Sequence, residues 1–175
     1  MKFQETKLAG AFIIELDKIE DERGFFARSF CVEEFKRHGL NSVIKQCNIS
    51  FNKHIGTLRG MHFQKPPYEE TKLVRCIKGK VYDVIVDLRK ESNTYLEWFS
   101  IELNQENKKM LYIPEGFAHG FQTLEDNAEL FYQMSAFYSD DSSSGVRWDD
   151  PALKIDWPMP NPLISDKDAS YPDII

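Results

Sequence analysis

The chain has 175 residues, 42% of them hydrophobic and 29% charged, which suits one globular domain over residues 1–175 with a real core. Its 22 Lys and Arg against 28 Asp and Glu leave a net charge of −6, which argues against a nucleic-acid partner held by its backbone but leaves room for a small basic pocket. Three cysteines, Cys31, Cys47 and Cys76, form no CxxC pair. That argues against a disulfide framework or structural zinc and for free thiols in a reducing cytoplasm. No signal peptide or membrane anchor is expected, since no window approaches roughly 18 uncharged apolar residues.

Period-two alternation dominates the chain from its first segments. Strands are predicted over residues 11–16, 43–51, 56–64, 72–77, 80–88, 96–103, 110–113 and 129–137, divided by turn residues such as Lys78-Gly79-Lys80 and Glu125-Asp126-Asn127. Residues 32–38 read as a short surface helix, with Phe35 among Glu33, Glu34, Lys36 and Arg37 and Gly39 at its end. Pro114 and Gly116 mark a turn that leads through His119 into the next strand. Residues 140–175, with Pro151, Pro158, Pro160, Pro162 and Pro172, read as packed loops. Thirteen Phe support a sheet-built core. The sum is an all-β barrel or sandwich.

Several strand faces carry more chemistry than a core needs. On residues 46–51 the polar face is Gln46, Asn48 and Ser50 and the apolar one Cys47, Ile49 and Phe51, so the polar face is either solvated or a site. Tyr132 and Tyr138 share a parity with Leu130, Met134 and Ala136. Lys72 opens a strand on the side of Val74 and Cys76, and Asp83 is either inward and paired or outward. Of the four histidines, His38 and His54 sit in loop contexts, whereas His62 lies in a glycine-bearing strand and His119 beside a Pro/Gly turn.

Taken together, these segments resemble the dTDP-4-dehydrorhamnose 3,5-epimerase family. The matching pieces are Asp21-Glu-Arg23-Gly-Phe-Phe26, Gln46-Cys-Asn48, Gly56-Thr-Leu-Arg59-Gly-Met-His62-Phe-Gln64, Lys72-Leu-Val-Arg75, Tyr82-Asp83-Val-Ile-Val-Asp87-Leu-Arg89, Ile113-Pro-Glu-Gly-Phe-Ala-His119-Gly-Phe121, Tyr132 with Tyr138, Gly145-Val-Arg-Trp148-Asp-Asp-Pro151 and Ile164-Ser-Asp-Lys167-Asp168. The resemblance implies a homodimeric, cupin-like β-roll or jelly-roll barrel with one or few short helices. It implies inversion of carbons beside the keto group of a nucleotide-diphosphate 4-keto-6-deoxy sugar, with no metal or organic cofactor. His62 matches the family's base, Asp168 its carboxylate partner with Asp166 as the other candidate, Tyr132 the proton donor, and Lys72 the lysine near the carbonyl. Tyr138 matches a second pocket tyrosine, and Arg23, Gln46, Asn48, Arg59, His119 and Lys167 match substrate-binding positions. Arg28, and Ser143 with Ser144, stand where acidic residues are usual.

The residue types suit that chemistry. An imidazole, with an ordinary pKa of about 6.5, is largely neutral and basic at pH 7. A carboxylate fixes its tautomer, a lysine stabilises a developing enolate, and a phenol keeps a proton to return. Alternatives are a mono-epimerase or keto-isomerase on a CDP or GDP sugar, a metal-dependent cupin, whose second metal motif Pro114-Glu-Gly116-Phe-Ala-His119 resembles although Met61-His62-Phe63 offers one histidine where a pair is expected, and a non-catalytic sugar-binding module.

Overall fold

Alternation decides the architecture, because each strand must bury one face against a neighbour and the two faces differ in kind. In the computed structural model, which describes residues 1–174, β1 (Lys2–Glu5) and β2 (Phe12–Glu15) are followed by a hairpin of β3 (Ile19–Asp21) and β4 (Gly24–Phe26), then by helix α1 (Val32–Arg37). Next come β5 (Gln46–Asn52), β6 (Leu58–Gln64), β7 (Lys72–Lys78), β8 (Lys80–Asp87), β9 (Trp98–Asn104) and β10 (Met110–Ile113). The chain continues through β11 (Phe117–Thr123), β12 (Ala128–Met134), β13 (Ser143–Gly145) and α2 (Asp166–Ala169). Ile175, the last residue of the domain expected over 1–175, lies outside the described residues.

The named strands pair antiparallel, in a six-stranded sheet of order β1-β2-β10-β7-β12-β5 and a five-stranded sheet of order β13-β6-β11-β8-β9. The fold is all-β, a β-roll of two facing sheets with two short helices. Between the sheets, Val74 and Cys76 of β7, Leu111 and Ile113 of β10 and Leu130 of β12 meet Val81 and Ile85 of β8, Leu103 of β9 and Phe117 and Phe121 of β11. Among the described residues no helix is long and apolar enough to cross a membrane.

Two further apolar layers lie outside the sheets. Helix α1 is less of a surface element than its charges suggest: Phe35 is 1% exposed and closes over Ile14, Leu73, Met110 and Tyr112. On the far side, Val146, Leu153, Ile155 and Trp157 of the irregular tail cover Met61, Val84, Val86 and Ala118. Strand β11 was not foreseen as one. Its seven residues are all buried between β6 and β8 with both sheet faces covered, and such a strand need not alternate. His119 is therefore mid-strand rather than at a turn. β1, β3, β4 and β13 are short edge or hairpin pieces of three or four residues, too brief to show a period.

Asp87 at the end of β8 clasps the turn that follows. Fully buried, it accepts from Arg89 Nε at 2.8 Å and Nη2 at 2.7 Å, from Ser92 Oγ at 2.6 Å and from Thr94 Oγ1 at 2.7 Å. Arg89 also donates to the Ala9 carbonyl at 2.9 Å and lies 4.6 Å over the Phe117 ring. Burial alone would raise this carboxyl, but the donors outweigh it and hold the pKa at about 2. A depressed folded value contributes stability above the unfolded value of about 3.9, and that stability is lost as pH falls through the folded value. Asp87→Asn is expected to cost about 2 kcal/mol at pH 7 and to flatten the loss of stability between about pH 4 and 2, measured by urea denaturation across that range.

Candidate active site

Toward the β5 and β13 edges the inner faces change from apolar to polar, and the sheets enclose a cavity of about 650 Å³. Strand parity turns Gln46 and Asn48 of β5, Lys72 of β7 and Tyr132 of β12 into it from the six-stranded sheet. Arg59 and His62 of β6 and His119 of β11 enter from the five-stranded sheet. Tyr138, beyond the end of β12, and Lys167 of α2 complete its wall. On β5 the face left open between solvent and site is settled: Gln46, Asn48 and Ser50 are half-buried, and Cys47, Ile49 and Phe51 are exposed.

His62 is the centre of the arrangement. Its Nε2 lies 2.8 Å from Asp168 Oδ1, while Asp168 Oδ2 accepts the Gly60 N–H at 3.1 Å. Asp168 reaches this place because α2 is capped by Ser165, whose Oγ accepts the Asp168 N–H at 3.1 Å. Asp166 starts the same helix and is exposed, so Asp168 is the partner. Burial raises the Asp168 carboxyl, but the His62 bond and charge, the Gly60 N–H and Arg59 outweigh it and keep it below the ordinary carboxylate value. An ionised carboxylate on Nε2 holds the proton there and leaves the lone pair on Nδ1. Gly60, at φ +139°, makes this geometry possible: a Cβ there would stand 2.5 Å from Gly120 Cα, so β6 and β11 cross too closely for any side chain.

Lys72 is 8% exposed. Its Nζ lies 3.0 Å from Glu70 Oε1 and donates to the His62 carbonyl at 3.3 Å. Two of three ammonium protons are thereby engaged, leaving one for the cavity. Glu70 was not foreseen, because it lies in the aperiodic stretch before β7. Its signal was a carboxylate two residues ahead of a lysine on the inward parity. His119 Nε2 lies 3.0 Å from both oxygens of fully buried Asp83, so Asp83 is inward and paired. Burial pushes the Tyr132 phenol above its ordinary value against the opposing charge of Arg59, which keeps it a proton donor.

Other polar groups fix the rim. Gln46 Oε1 accepts the Tyr138 N–H at 2.9 Å, Asn48 Nδ2 reaches Met134 Sδ at 3.2 Å, and Arg59 Nε donates to Asn52 Oδ1 at 2.7 Å. Ser143 lines the cavity, and Arg28 pairs with Glu34 at 3.0 Å on the surface. The structure does not bring Arg23 to this cavity. It stands 89% exposed on the β3–β4 hairpin, paired with Asp21, because that hairpin forms a two-stranded sheet of its own. Tyr171, from the tail, lines the cavity with its ring centroid 5.9 Å from that of His62; an irregular segment offered no period to reveal it. Among the described residues, no group of three or more His, Cys, Asp or Glu is placed to hold a metal ion.

Breaking the buried Lys72–Glu70 pair from one side leaves a charge uncompensated. Glu70→Ala is expected to cost about 3 kcal/mol of stability, and adding Lys72→Met to recover most of it, as read from urea midpoints.

The family model described as dTDP-4-dehydrorhamnose 3,5-epimerase matches residues 5–175. The dTDP-4-dehydrorhamnose 3,5-epimerase of Shigella flexneri is 45% identical over 171 residues, covering 97% of this chain and 94% of that protein. The crystal structure of dTDP-4-dehydrorhamnose 3,5-epimerase from Bacillus anthracis with TDP and PPi bound superposes with a TM-score of 0.96 at 41% identity, covering 99% of both chains. The dTDP-6-deoxy-D-glucose-3,5-epimerase of Legionella pneumophila in complex with dTDP-4-keto-L-rhamnose gives a TM-score of 0.92 at 36% identity, over 98% of this chain and 92% of that one.

Proposed function

The chain belongs to the dTDP-4-dehydrorhamnose 3,5-epimerase family and is an isomerase, and from that premise we propose that it inverts carbons 3 and 5 of dTDP-4-dehydro-6-deoxy-D-glucose to give dTDP-4-dehydro-L-rhamnose. The observation that carries this reading is the opposition of base and acid: His62 stands on the five-stranded sheet, with Tyr132 and Lys72 facing it from the six-stranded sheet. A sugar ring between those walls loses a proton from one face and regains one on the other, which is what inversion requires.

In the proposed steps His62 Nδ1 takes the proton beside the ketone, and Asp168 steadies the imidazolium that forms. The remaining ammonium proton of Lys72, a buried side chain, meets the enolate oxygen, where a preorganised charge stabilises it. Tyr132 then gives its proton to the carbanion from the opposite face. One proton leaves and one returns at each carbon, so the reaction needs no redox partner; His62 is left protonated and Tyr132 ionised, and proton exchange with water resets both before the next carbon. Arg59, Gln46, Asn48, His119, Tyr138 and Lys167 form the binding wall for the nucleotide and its diphosphate, the guanidinium of Arg59 matching phosphate geometry best. The thymidine diphosphate groups held by the Bacillus and Legionella relatives support this substrate class.

The test is incubation with dTDP-4-keto-6-deoxyglucose in heavy water, following deuterium by NMR. Deuterium at carbons 3 and 5 with an inverted product is expected, and exchange at one carbon alone would make the protein a mono-epimerase. His62→Ala should lower turnover about 10³-fold, and Tyr132→Phe should retain exchange while losing inversion. Full epimerisation by the Tyr132 variant would remove it as the donor.

The working unit we propose is a homodimer in the cytoplasm. Ile49 (63% exposed) and Phe51 (51%) on edge strand β5, with Ile19 (71%) and Phe26 (73%) on the hairpin, supply the apolar surface for a second copy. In this assembly the hairpin carries Arg23 toward the partner's cavity, which its own cavity does not receive. Phe26→Asp with Ile49→Asp is expected to yield a monomer in sedimentation and to raise KM; an unchanged monomer–dimer balance would overturn the assignment.

A further inference from the structure

Gly145 of β13 is the cross-strand neighbour of His62, and the space its side chain would take is filled by another residue. A Cβ on Gly145 would meet three ring carbons of Tyr171 at 2.4 to 2.6 Å. That same ring stands edge-on to the His62 imidazole, with centroids 5.9 Å apart and planes at 74°, within the range of a favourable aromatic contact. The Tyr171 phenol is raised by burial and by its neighbours Asp168 and Tyr138, so it is a neutral group beside the base.

Among the described residues the His62 imidazole has one hydrogen bond, at Nε2. A bond at one corner of a planar ring sets where that corner lies but not how the ring tilts about it. The tilt matters, because it aims Nδ1 at the carbon to be deprotonated. We propose that Tyr171 is a positioning residue for the base, its ring setting the tilt of the His62 imidazole, and that position 145 is glycine to admit that ring. The proposal rests on the reading of His62 as the base of an epimerase. Asp168 and Tyr171 lie three residues apart, so one short segment supplies both the pivot and the backstop of the imidazole.

The experiment uses the full chain and three single variants, Tyr171→Ala, Tyr171→Phe and Gly145→Ala, with the double variant Gly145→Ala/Tyr171→Ala. Tyr171→Ala should lower kcat on the order of 100-fold, with KM and the Kd for dTDP within about threefold of the parent. Tyr171→Phe, which keeps the ring, should recover all but about fivefold of that loss. Gly145→Ala should reproduce the loss, and the double variant should be no worse than either single change, because both act through one seat. A parent-like kcat in Tyr171→Ala would overturn the proposal. So would a loss confined to KM, or a Tyr171→Phe no better than Tyr171→Ala, which would make the hydroxyl a direct substrate contact. Imidazole ¹⁵N NMR of the ligand-free protein separates this proposal from the epimerase reading. A single Nε2–H form of His62 should give way to exchange-broadened signals in Tyr171→Ala and Gly145→Ala, and unchanged signals would overturn the seat even if the parent turned over no sugar. Failure of the parent on the sugar with those signals altered would count against the epimerase reading alone.

Discussion

The hydrogen bond between His62 and Asp168 joins residues 106 positions apart, and most of the structure serves to keep those two groups in register. It requires the tail to return across the outer face of the five-stranded sheet, and apolar burial drives that return: Val146, Leu153, Ile155 and Trp157 leave water against Met61, Val84, Val86 and Ala118. The return is pinned by a bridge between Thr57 and Leu163, with the Leu58 N–H donating to the Leu163 carbonyl at 2.9 Å. A non-directional force therefore brings the tail close, and a few directional bonds convert that closeness into the orientation of one ring.

The same economy governs charge. The protein is acidic overall, yet its cavity presents basic groups, and three of them are each backed by a carboxylate: His62 by Asp168, Lys72 by Glu70 and His119 by Asp83. For the buried Lys72 such pairing offsets the cost of taking a charge out of water. Arg59 differs. Its Nε is held by the neutral amide oxygen of Asn52, so its positive charge is available to an anion while its position is still fixed. A single pocket thus holds three basic side chains backed by carboxylates beside one guanidinium anchored only by a neutral amide.

How much of this was legible in the sequence follows from what alternation can and cannot encode. Period two located most strands and placed Lys72, Tyr132, Gln46 and Asn48 on common faces, but parity alone cannot say which face looks inward. β5 shows why: its apolar face is the outer one, and the usual rule of apolar-in fails where the interior is a polar cavity. β11 lost its period because both of its faces are covered. Glu70 and Tyr171 lie where the backbone is irregular, so their approach to Lys72 and His62 depends on tertiary packing that no local pattern records. Arg23 was legible as part of a motif, but a motif does not say where its hairpin will lie: β3 and β4 form a sheet of their own, and Arg23 stands exposed there beside Asp21.

The close crossing of β6 and β11 has a consequence for how this scaffold can change. At Gly120 an added Cβ would meet Met61 Sδ at 2.6 Å and the Arg59 carbonyl at 2.9 Å, and at Gly60 it would meet Gly120 itself, so neither position admits a larger residue without parting the strands that hold His62 and His119. The facing wall is under no such limit, since Gln46, Asn48 and Met134 present flexible side chains rather than backbone. Substitutions that reshape the cavity therefore have more room on that wall, and the backbone beneath the imidazole, at Gly60 and Gly120, is the part of it least able to drift.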